Sequence, residues 1–176
     1  NTEAQDRTSQ AVAGRVGVVG LGLIGGSIAR AMARGGHEVY AFDLNEDIES
    51  FAAIETTSGT LTDELVPTCE LIVLACYPKA CVDWLRGHAA LVSPDAIIID
   101  TGGVKRSICE PCGAIAEGRG WTFVGCHPMA GTQFSGYAHS RANMFAGAPM
   151  VVCPPPEIRG VECLALVDRL EGLLAP

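Results

Sequence analysis

The chain has 176 residues, of which 48% are hydrophobic and 18% are charged, so it can bury the core of one domain. Its formal net charge of −8 argues against a nucleic acid as a partner, because phosphate backbones require basic surfaces. No apolar run is long enough to span a membrane, and the polar N-terminus does not have the pattern of a signal peptide. We therefore expect a cytoplasmic protein with a disordered leader at residues 1–14 and one domain over residues 15–176.

A glycine-rich turn follows the first apolar run of the chain. Residues 16–19 lead into Gly20-x-Gly22-x-x-Gly25, after which apolar residues recur on one face of a predicted helix. These face residues are Ile24, Ile28 and Met32. In a dinucleotide-binding βαβ unit, Gly20 would allow the tight turn, Gly22 would let a pyrophosphate approach, and Gly25 would let the helix pack closely. The pyrophosphate would sit at the helix N-terminus. A glycine-rich turn without a ligand is the alternative.

An acidic residue stands where such a unit binds ribose. The second apolar run, residues 39–42, ends in Asp43. A carboxylate there can accept hydrogen bonds from both ribose hydroxyls of NAD, and it would repel the additional phosphate of NADP, which usually requires a nearby Arg. Residues 44–46, which follow, include no basic side chain. The sequence therefore predicts NAD as the cofactor.

The rest of the chain continues to alternate between strand-like and helix-like segments. Apolar runs predict four further buried strands. They are residues 71–75, 96–99, 122–125 and 149–152. The last of them could run antiparallel at an edge. Helices are expected after Pro78 and over residues 105–116, whereas residues 51–66 are too few for a helix, a strand and a second helix, so one element should be reduced. The pattern predicts an α/β fold with a doubly wound, mostly parallel sheet.

The eight cysteines have two interpretations. Most lie in or beside apolar runs, where a free thiol behaves as a small hydrophobe. These are Cys76, Cys81, Cys126, Cys153 and Cys163. Cys109-x-x-Cys112 has the spacing of a metal or redox site, but no second pair or histidine cluster accompanies it. A cytosolic location also argues against a disulfide framework. We expect no metal site.

The chemistry of a doubly wound sheet takes place beyond the carboxyl ends of its strands. Residues 76–79, 100–106 and 125–132 each follow a predicted strand, so they should converge on the nicotinamide end of the cofactor. Together with the glycine turn they give the expected cofactor-binding residues. These are Gly20, Gly22, Leu23, Ile24, Gly25, Asp43, Cys76, Tyr77, Pro78, Thr101 and Gly102.

His127 is the candidate for a catalytic base. It lies at a predicted strand end, between a glycine turn and Pro128. The other histidines lie in polar or helical contexts typical of solvent-facing positions; they are His37, His88 and His139. Removing hydride from an alcohol carbon requires a base for the hydroxyl proton, and histidine titrates near neutral pH. The alternative is a structural histidine that bonds a backbone carbonyl in a tight loop.

Residues 127–132 read His-Pro-Met-Ala-Gly-Thr and are followed by Phe-Ser-Gly at 134–136 and Asn-Met-Phe-Ala-Gly-Ala at 143–148. This signature resembles that of the prephenate dehydrogenases and their arogenate-using relatives. The glycine turn and Asp-Thr-Gly-Gly-Val-Lys at 100–105 occur at the same relative places in that family. The resemblance extends over residues 15–153. Its histidine motif is more specific than the dinucleotide motif, which many dehydrogenases share.

The resemblance implies an NAD-linked oxidative decarboxylation of prephenate to 4-hydroxyphenylpyruvate in tyrosine biosynthesis, with His127 accepting the proton of the ring hydroxyl. The protein would position the reacting groups while the cofactor takes the hydride. The partner would be a small-molecule substrate, with neither nucleic acid nor membrane involved. The resemblance also implies a set of substrate-binding residues. These are Gly103, Lys105, His127, Thr132 and Gln133.

Two positions depart from the family pattern. Gly103 stands where many members have a serine near the nicotinamide, so a hydroxyl donor is missing, and a backbone N–H or a water could substitute. Gln133 stands where many members have a glutamate, which keeps hydrogen bonding but loses the charge. Both changes affect the expected geometry of substrate binding, and neither removes the proposed base.

The family has a helical domain after the nucleotide domain, which supplies the dimer interface and basic residues for the substrate carboxylates. Here one further amphipathic helix is predicted. Its apolar face consists of Val161, Leu164, Val167 and Leu170. We therefore expect the nucleotide-binding half, without the helical domain, of an enzyme whose full-length form is a homodimer. The alternatives are an arogenate dehydrogenase and a non-catalytic NAD-binding regulatory module; the complete histidine motif favours an enzyme.

Overall fold

The computed structural model describes residues 14–174. The expected leader lies outside these residues except for Gly14. The strands are β1 (Arg15–Val19), β2 (Glu38–Phe42), β3 (Gly59–Thr60), β4 (Leu71–Leu74), β5 (Ile97–Asp100), β6 (Thr122–Pro128) and β7 (Met150–Cys153). The helices are α1 (Leu23–Arg34), α2 (Glu46–Glu55), α3 (Pro78–His88), α4 (Arg106–Ala116) and α5 (Val161–Leu174). Two 3₁₀ turns occur at Val66–Thr68 and Tyr137–His139.

The strands form one sheet in the order β3-β2-β1-β4-β5-β6-β7. Neighbouring strands are parallel except β6 and β7, which are antiparallel. The first six strands have the order of the doubly wound, Rossmann-like dinucleotide-binding fold, whose ligand crevice lies where the strand order reverses, here between β1 and β4. The predicted α/β class, the mostly parallel sheet and the antiparallel edge strand are confirmed.

Both faces of the sheet are covered. Val73 and Ile99 point into the layer under α1, α2 and α5. Ile72 and Ile98, one residue earlier on each strand, point into the layer under α3 and α4. All four residues of β4 and of β5 are buried, which explains why these strands read as continuous apolar runs rather than as alternating ones.

The stretch at residues 51–66 has the reduced structure that its length indicates. The Asn45 side chain caps α2 by accepting a hydrogen bond from Asp47 N at 3.0 Å. Three acidic residues in the first turn of α2 complement its dipole. After α2 the chain forms only the two-residue strand β3 and then the 3₁₀ turn Val66–Thr68, which takes the place of a helix before β4.

Two expectations about local structure are wrong. The strand predicted at residues 122–125 continues to Pro128, because β6 pairs with β5 only as far as Val124 and then pairs with the antiparallel β7. His127 is therefore part of a strand rather than of the loop after it. His37 does not face solvent: it is 6% exposed, and its Nδ1 accepts a hydrogen bond from Gly14 N at 3.2 Å.

The predicted apolar face of α5 is also wrong at its N-terminal end. Leu170 is buried, but Leu164 is exposed and Val161 is 82% exposed. Each step of three residues falls about 60° short of a full turn, so after three such steps Val161 lies opposite Leu170. The side chains of α5 that pack on the core are Leu166, Leu170, Leu173 and Leu174. Over residues 14–174, no helix is long and apolar enough to cross a membrane.

Candidate active site

The glycine turn between β1 and α1 is packed so tightly that two of its positions admit only glycine. Gly20 has a φ of 93°, and a Cβ there would lie 2.8 Å from the carbonyl oxygen of Ala75. A Cβ on Gly25 would overlap the carbonyl oxygen of Gly20, because α1 sits directly on the turn. In contrast, a Cβ on Gly22 would meet no protein atom within 4 Å. This is the packing that a dinucleotide-binding turn requires.

Gly22 faces a cleft of about 890 Å³ at the carboxyl ends of β1, β2 and β4. The helix α1 begins at the edge of this cleft with Gly22 as its N-cap, and no side chain caps it. Leu23 and Ile24, in the first turn of α1, line the cleft. The N–H groups of such a first turn have no partner within the helix, and with the helix dipole they make a favourable place for a phosphate.

The Asp43 carboxylate is held at the floor of the cleft by two backbone groups. Its Oδ2 accepts a hydrogen bond from Leu21 N at 2.7 Å, and its Oδ1 accepts one from Asn45 N at 2.9 Å. The turn after β1 and the turn after β2 are thereby joined. Among the described residues that line the cleft, the charged ones are the carboxylates Asp43 and Asp83, with neither Lys nor Arg.

The opposite wall comes from the segment after β4 and from α3. Cys76 is half-buried there, and Tyr77 is 87% exposed at the mouth of the cleft. Trp84 of α3 also lines this wall, which the sequence did not indicate, because a Trp in a helical pattern is equally typical of a core. Eight of the expected cofactor residues line the cleft: Gly20, Gly22, Leu23, Ile24, Asp43, Cys76, Tyr77 and Thr101. The other three do not line it: Gly25 packs against the turn, Pro78 begins α3, and Gly102 N donates a hydrogen bond to Asp100.

The His127 side chain is oriented by a backbone carbonyl. Its Nδ1 lies 3.0 Å from the carbonyl oxygen of Thr101, so Nδ1 carries the proton and donates it. In the neutral ring this leaves Nε2 as the acceptor. Position 127 pairs with Val151 of β7, which fixes the backbone on the far side. The structural hydrogen bond and a role as base are therefore compatible.

A buried ion pair fastens the ends of β5 and β6 next to His127. Asp100 is fully buried, and its carboxylate accepts hydrogen bonds from Lys105 Nζ at 2.5 Å, Gly102 N at 2.9 Å and Cys126 N at 3.1 Å. Lys105 Nζ also donates to the carbonyl oxygen of Cys126 at 2.6 Å. Two of the three ammonium donors are thus used within the protein. Lys105, expected to bind substrate, retains one N–H for such a contact.

The other expected substrate residues lie on exposed loops. A Cβ on Gly103 would lie 3.5 Å from Cε1 of His127, so a side chain could stand beside the imidazole without a clash. Thr132 and Gln133 are exposed on the loop after β6, where Thr132 Oγ1 accepts a hydrogen bond from Phe134 N at 3.2 Å. The next residues of this loop, 134–136, line the cleft.

The 3₁₀ turn Tyr137–His139 anchors the loop after β6 on α1, which the sequence did not predict. Tyr137 is 4% exposed, its ring lies under the Arg30 guanidinium at 4.6 Å, and its hydroxyl is 3.0 Å from Thr56 Oγ1. A Cβ on Gly26 would lie 2.7 Å from the Tyr137 ring. Ser27 Oγ accepts a hydrogen bond from Arg141 N at 2.9 Å. The sequence contains two signals of this contact, Gly26 and the polar Ser27, which both lie on the buried face of α1.

The Cys109-x-x-Cys112 pair lies on α4. Burial raises the pKa of both thiols, to about 12 for Cys112. A Cβ on Gly125 would overlap Cys109 Sγ, so this thiol packs against β6. Within residues 14–174, no group of three or more His, Cys, Asp or Glu side chains is placed to hold a metal ion. These observations lend no support to a metal site on α4.

Residues 28–172 match the family model described as the nucleotide-binding domain of prephenate dehydrogenase. The chain belongs to this family. It is 31% identical over 164 residues to the prephenate dehydrogenase of Lactococcus lactis, covering 90% of this chain and 44% of that protein. It is 28% identical over 144 residues to the cyclohexadienyl dehydrogenase of Zymomonas mobilis, covering 79% of this chain and 48% of that protein.

Two solved structures share the fold and the sequence pattern. The arogenate dehydrogenase of Synechocystis has a TM-score of 0.79 and 31% identity, over 92% of this chain and 57% of that one. The prephenate dehydrogenase of Aquifex aeolicus, in complex with hydroxyphenyl propionate and NAD+, has a TM-score of 0.77 and 27% identity, over 93% of this chain and 58% of that one. The chain spans about half the length of the curated relatives that it matches.

Proposed function

We propose that the chain is the cofactor-binding and proton-accepting part of an NAD-dependent dehydrogenase that oxidatively decarboxylates prephenate to 4-hydroxyphenylpyruvate. One observation carries the proposal: Thr101 lines the dinucleotide cleft, and its carbonyl oxygen accepts the hydrogen bond from His127. A single residue thus joins the cofactor cleft to the candidate base. The similarity to an enzyme solved with NAD+ and hydroxyphenyl propionate supports the same assignment.

The choice of NAD rests on Asp43. Its carboxylate is held at the cleft floor by Leu21 N and Asn45 N, with oxygen lone pairs left to accept from ribose hydroxyls. Asp83, the other acidic residue of the lining, is already paired with a lysine and an arginine of α3, so the preference for NAD rests on Asp43. A 2′-phosphate would meet the Asp43 carboxylate, with no Lys or Arg among the described lining residues to neutralise the phosphate.

In the proposed reaction, bound NAD supplies the hydride acceptor. His127 Nε2 accepts the proton of the ring hydroxyl as the carbon that bears it loses hydride and becomes a carbonyl-like centre. The C–C bond to the ring carboxylate breaks, carbon dioxide leaves, and its bonding electrons complete the aromatic ring; the phenolate oxygen that results takes the proton back from His127. The protein contributes position and a fixed tautomer, because Nδ1–H is committed to Thr101.

The substrate would lie between His127 and the loops that follow β5 and β6. Gly103 leaves space beside the imidazole, and Lys105 has one N–H to offer a carboxylate. Thr132 and Gln133 could donate hydrogen bonds from the exposed loop. These four residues are assigned by the family signature and by their place around the strand ends.

The test is a substitution at His127 that keeps the hydrogen bond to the Thr101 carbonyl and removes the proton acceptor. In His127→Asn the side-chain amide can still donate to the Thr101 carbonyl, but no nitrogen remains to accept a proton. In the complete gene product we expect turnover of prephenate to fall by roughly 10²–10⁴-fold, the usual size of general-base catalysis, with NAD affinity unchanged.

Turnover like that of the wild type in His127→Asn would refute the assignment of the base. A large loss of NAD affinity would instead favour a purely structural histidine. Arogenate is the second candidate substrate, because the Synechocystis enzyme of similar structure is an arogenate dehydrogenase. Both substrates should be assayed side by side. NAD binding without turnover of either by the complete protein would point to a regulatory module.

A further inference from the structure

Two cysteines at the cleft wall lie in direct contact. Cys76 follows β4, is half-buried and lines the cleft, whereas Cys81 on α3 is fully buried. Their sulfur atoms are 3.3 Å apart. Cys81 Sγ is also 3.2 Å from the carbonyl oxygen of Cys76. The first turn of α3 brings the two side chains together, since Cys81 N donates to Tyr77 O at 3.0 Å.

The contact gives these thiols a chemistry that the isolated buried cysteines lack. Burial raises the pKa of Cys69 to about 11, and burial together with the nearby Asp100 carboxylate raises that of Cys126 to about 12, which keeps both as inert thiols. Within the pair, the hydrogen bond from Cys76 lowers the pKa of Cys81, while the same hydrogen bond and burial raise the pKa of Cys76. Cys81 is therefore the sulfur of the pair that more readily loses its proton, which suits it to attack an oxidised Cys76 at 3.3 Å.

We propose that Cys76 and Cys81 form a reversible disulfide under a peroxide oxidant, and that this bond lowers the affinity of the cleft for its dinucleotide. The second half of the proposal rests on the proposed function. Cys76 is the thiol that a solute in the cleft can reach, because Cys81 has no exposed surface.

The steps balance with hydrogen peroxide as the oxidant. The Cys76 sulfur attacks one peroxide oxygen and the O–O bond breaks; the Cys76 proton goes to the leaving hydroxide, so a sulfenic acid and one water form. The Cys81 sulfur then attacks the sulfenic sulfur, the S–S bond forms, and the displaced hydroxide leaves as a second water with the proton from Cys81. Each sulfur loses one electron, and the two peroxide oxygens gain them.

The bond would disturb the cleft because the sulfurs must approach from 3.3 Å to about 2.05 Å. Cys81 is packed in the core under α3, so the movement falls on the turn that carries Cys76. This turn is in close contact with the glycine turn: a Cβ on Gly20 would lie 3.1 Å from Cys76 Cβ and 2.8 Å from Ala75 O. By linkage, a bound dinucleotide should in turn slow oxidation of the pair.

The experiment treats the purified, reductant-free protein with hydrogen peroxide and maps disulfides by peptide mass spectrometry. NADH affinity is titrated before treatment, after it, and after dithiothreitol. We expect a Cys76–Cys81 cross-link, a loss of NADH affinity of at least about fivefold, the lower end of typical couplings, and recovery on reduction. Saturating NADH during treatment should delay the cross-link.

Two variants separate this pair from the other thiols. Cys81→Ser should bind NADH as the wild type does and should lose its response to peroxide. Cys163→Ser, on α5, should keep the full response. Treated wild-type protein without a Cys76–Cys81 cross-link, or with the cross-link and unchanged NADH affinity, would overturn the proposal. Reduced protein that binds no NADH would refute the proposed function instead, and the mapping would still decide whether the disulfide forms.

Discussion

At the scale of single residues, two polar side chains of the candidate site are oriented by backbone hydrogen bonds. Asp43 is held by the amides of Leu21 and Asn45, and His127 by the carbonyl of Thr101. A side chain fixed in this way keeps its orientation when a ligand leaves, so little ordering is required on binding. Substitutions at such positions should therefore report on chemistry or charge more than on folding.

Asp43→Asn tests whether the negative charge of Asp43 causes the preference for NAD over NADP. The Asn carbonyl oxygen can keep the hydrogen bond from Asn45 N, but the variant cannot repel a phosphate. We expect the preference for NAD over NADP to shrink by at least about tenfold, which corresponds to about 1.4 kcal/mol. Calorimetric titration with both cofactors measures it, with the melting temperature as the control for folding. Equal affinity of the wild type for NAD and NADP would contradict the proposal that Asp43 selects NAD.

Lys105→Met tests the buried ion pair. It leaves the Asp100 carboxylate buried without its cation, and breaking such a pair typically costs about 3–5 kcal/mol. We expect a clear fall in the free energy of unfolding, measured by urea denaturation. The double variant Asp100→Asn/Lys105→Met should recover part of that loss, since it removes the stranded charge. A single variant as stable as the wild type would show that water or local rearrangement compensates the carboxylate.

At the scale of elements, strands and turns could be predicted wherever the signal is local. The strands β1, β2, β4 and β5 are found within one residue of the predicted runs. For β4 and β5 the reason is that a strand buried on both faces is apolar throughout. The length of β6 could not be predicted, since β7 pairs with it from about 25 residues further along the chain. The Tyr137 anchor involves α1, more than 100 residues away, so no short-range pattern encodes it.

Gly22→Ala and Gly25→Ala form a matched pair that separates binding from folding. A Cβ on Gly25 would overlap the backbone oxygen Gly20 O, so we expect a loss of about 3 kcal/mol or more in stability, the upper end of overpacking costs, or a fall of at least about 6 °C in Tm for a chain of this size. A Cβ on Gly22 meets no protein atom, so Tm should hold while NAD affinity falls, because the methyl group occupies the place of the pyrophosphate. Thermal melts and NAD titrations measure both. The reverse pattern would contradict the assignment of the turn.

At the scale of the whole molecule, the site has most of the groups that a dinucleotide requires but few of the cations that the substrate requires. Prephenate carries two carboxylates, which call for fixed cations. Near the strand ends, Lys105 is already paired, while Arg106 and Arg141 are exposed. The curated relatives are about twice as long as this chain. Cofactor binding and the candidate base could be predicted from short motifs in the sequence. Binding of the substrate carboxylates depends on contacts between distant segments, which such motifs do not encode.

We therefore expect the 176-residue chain to bind NAD and to turn over prephenate slowly or not at all. Misplacing a substrate by about 1 Å can cost on the order of 10²-fold in rate. The measurement is NADH formation at saturating prephenate, with protein purified free of host enzyme and with the complete gene product assayed in parallel. Turnover of order 1 s⁻¹ or more by the chain alone, within the usual enzyme range, would show that its own loops suffice.

The Tyr137 anchor has a consequence for how such a protein can diversify. Residues 129–136 form a loop that is held at both ends, by β6 at Pro128 and by the Tyr137 contact with α1, and nearly all of them are exposed. Substitutions at exposed positions usually change stability by no more than about 0.5 kcal/mol. Apart from Gly136, whose φ is 86°, substitutions in this stretch should therefore alter what the cleft accepts and leave the sheet and the cofactor turn intact.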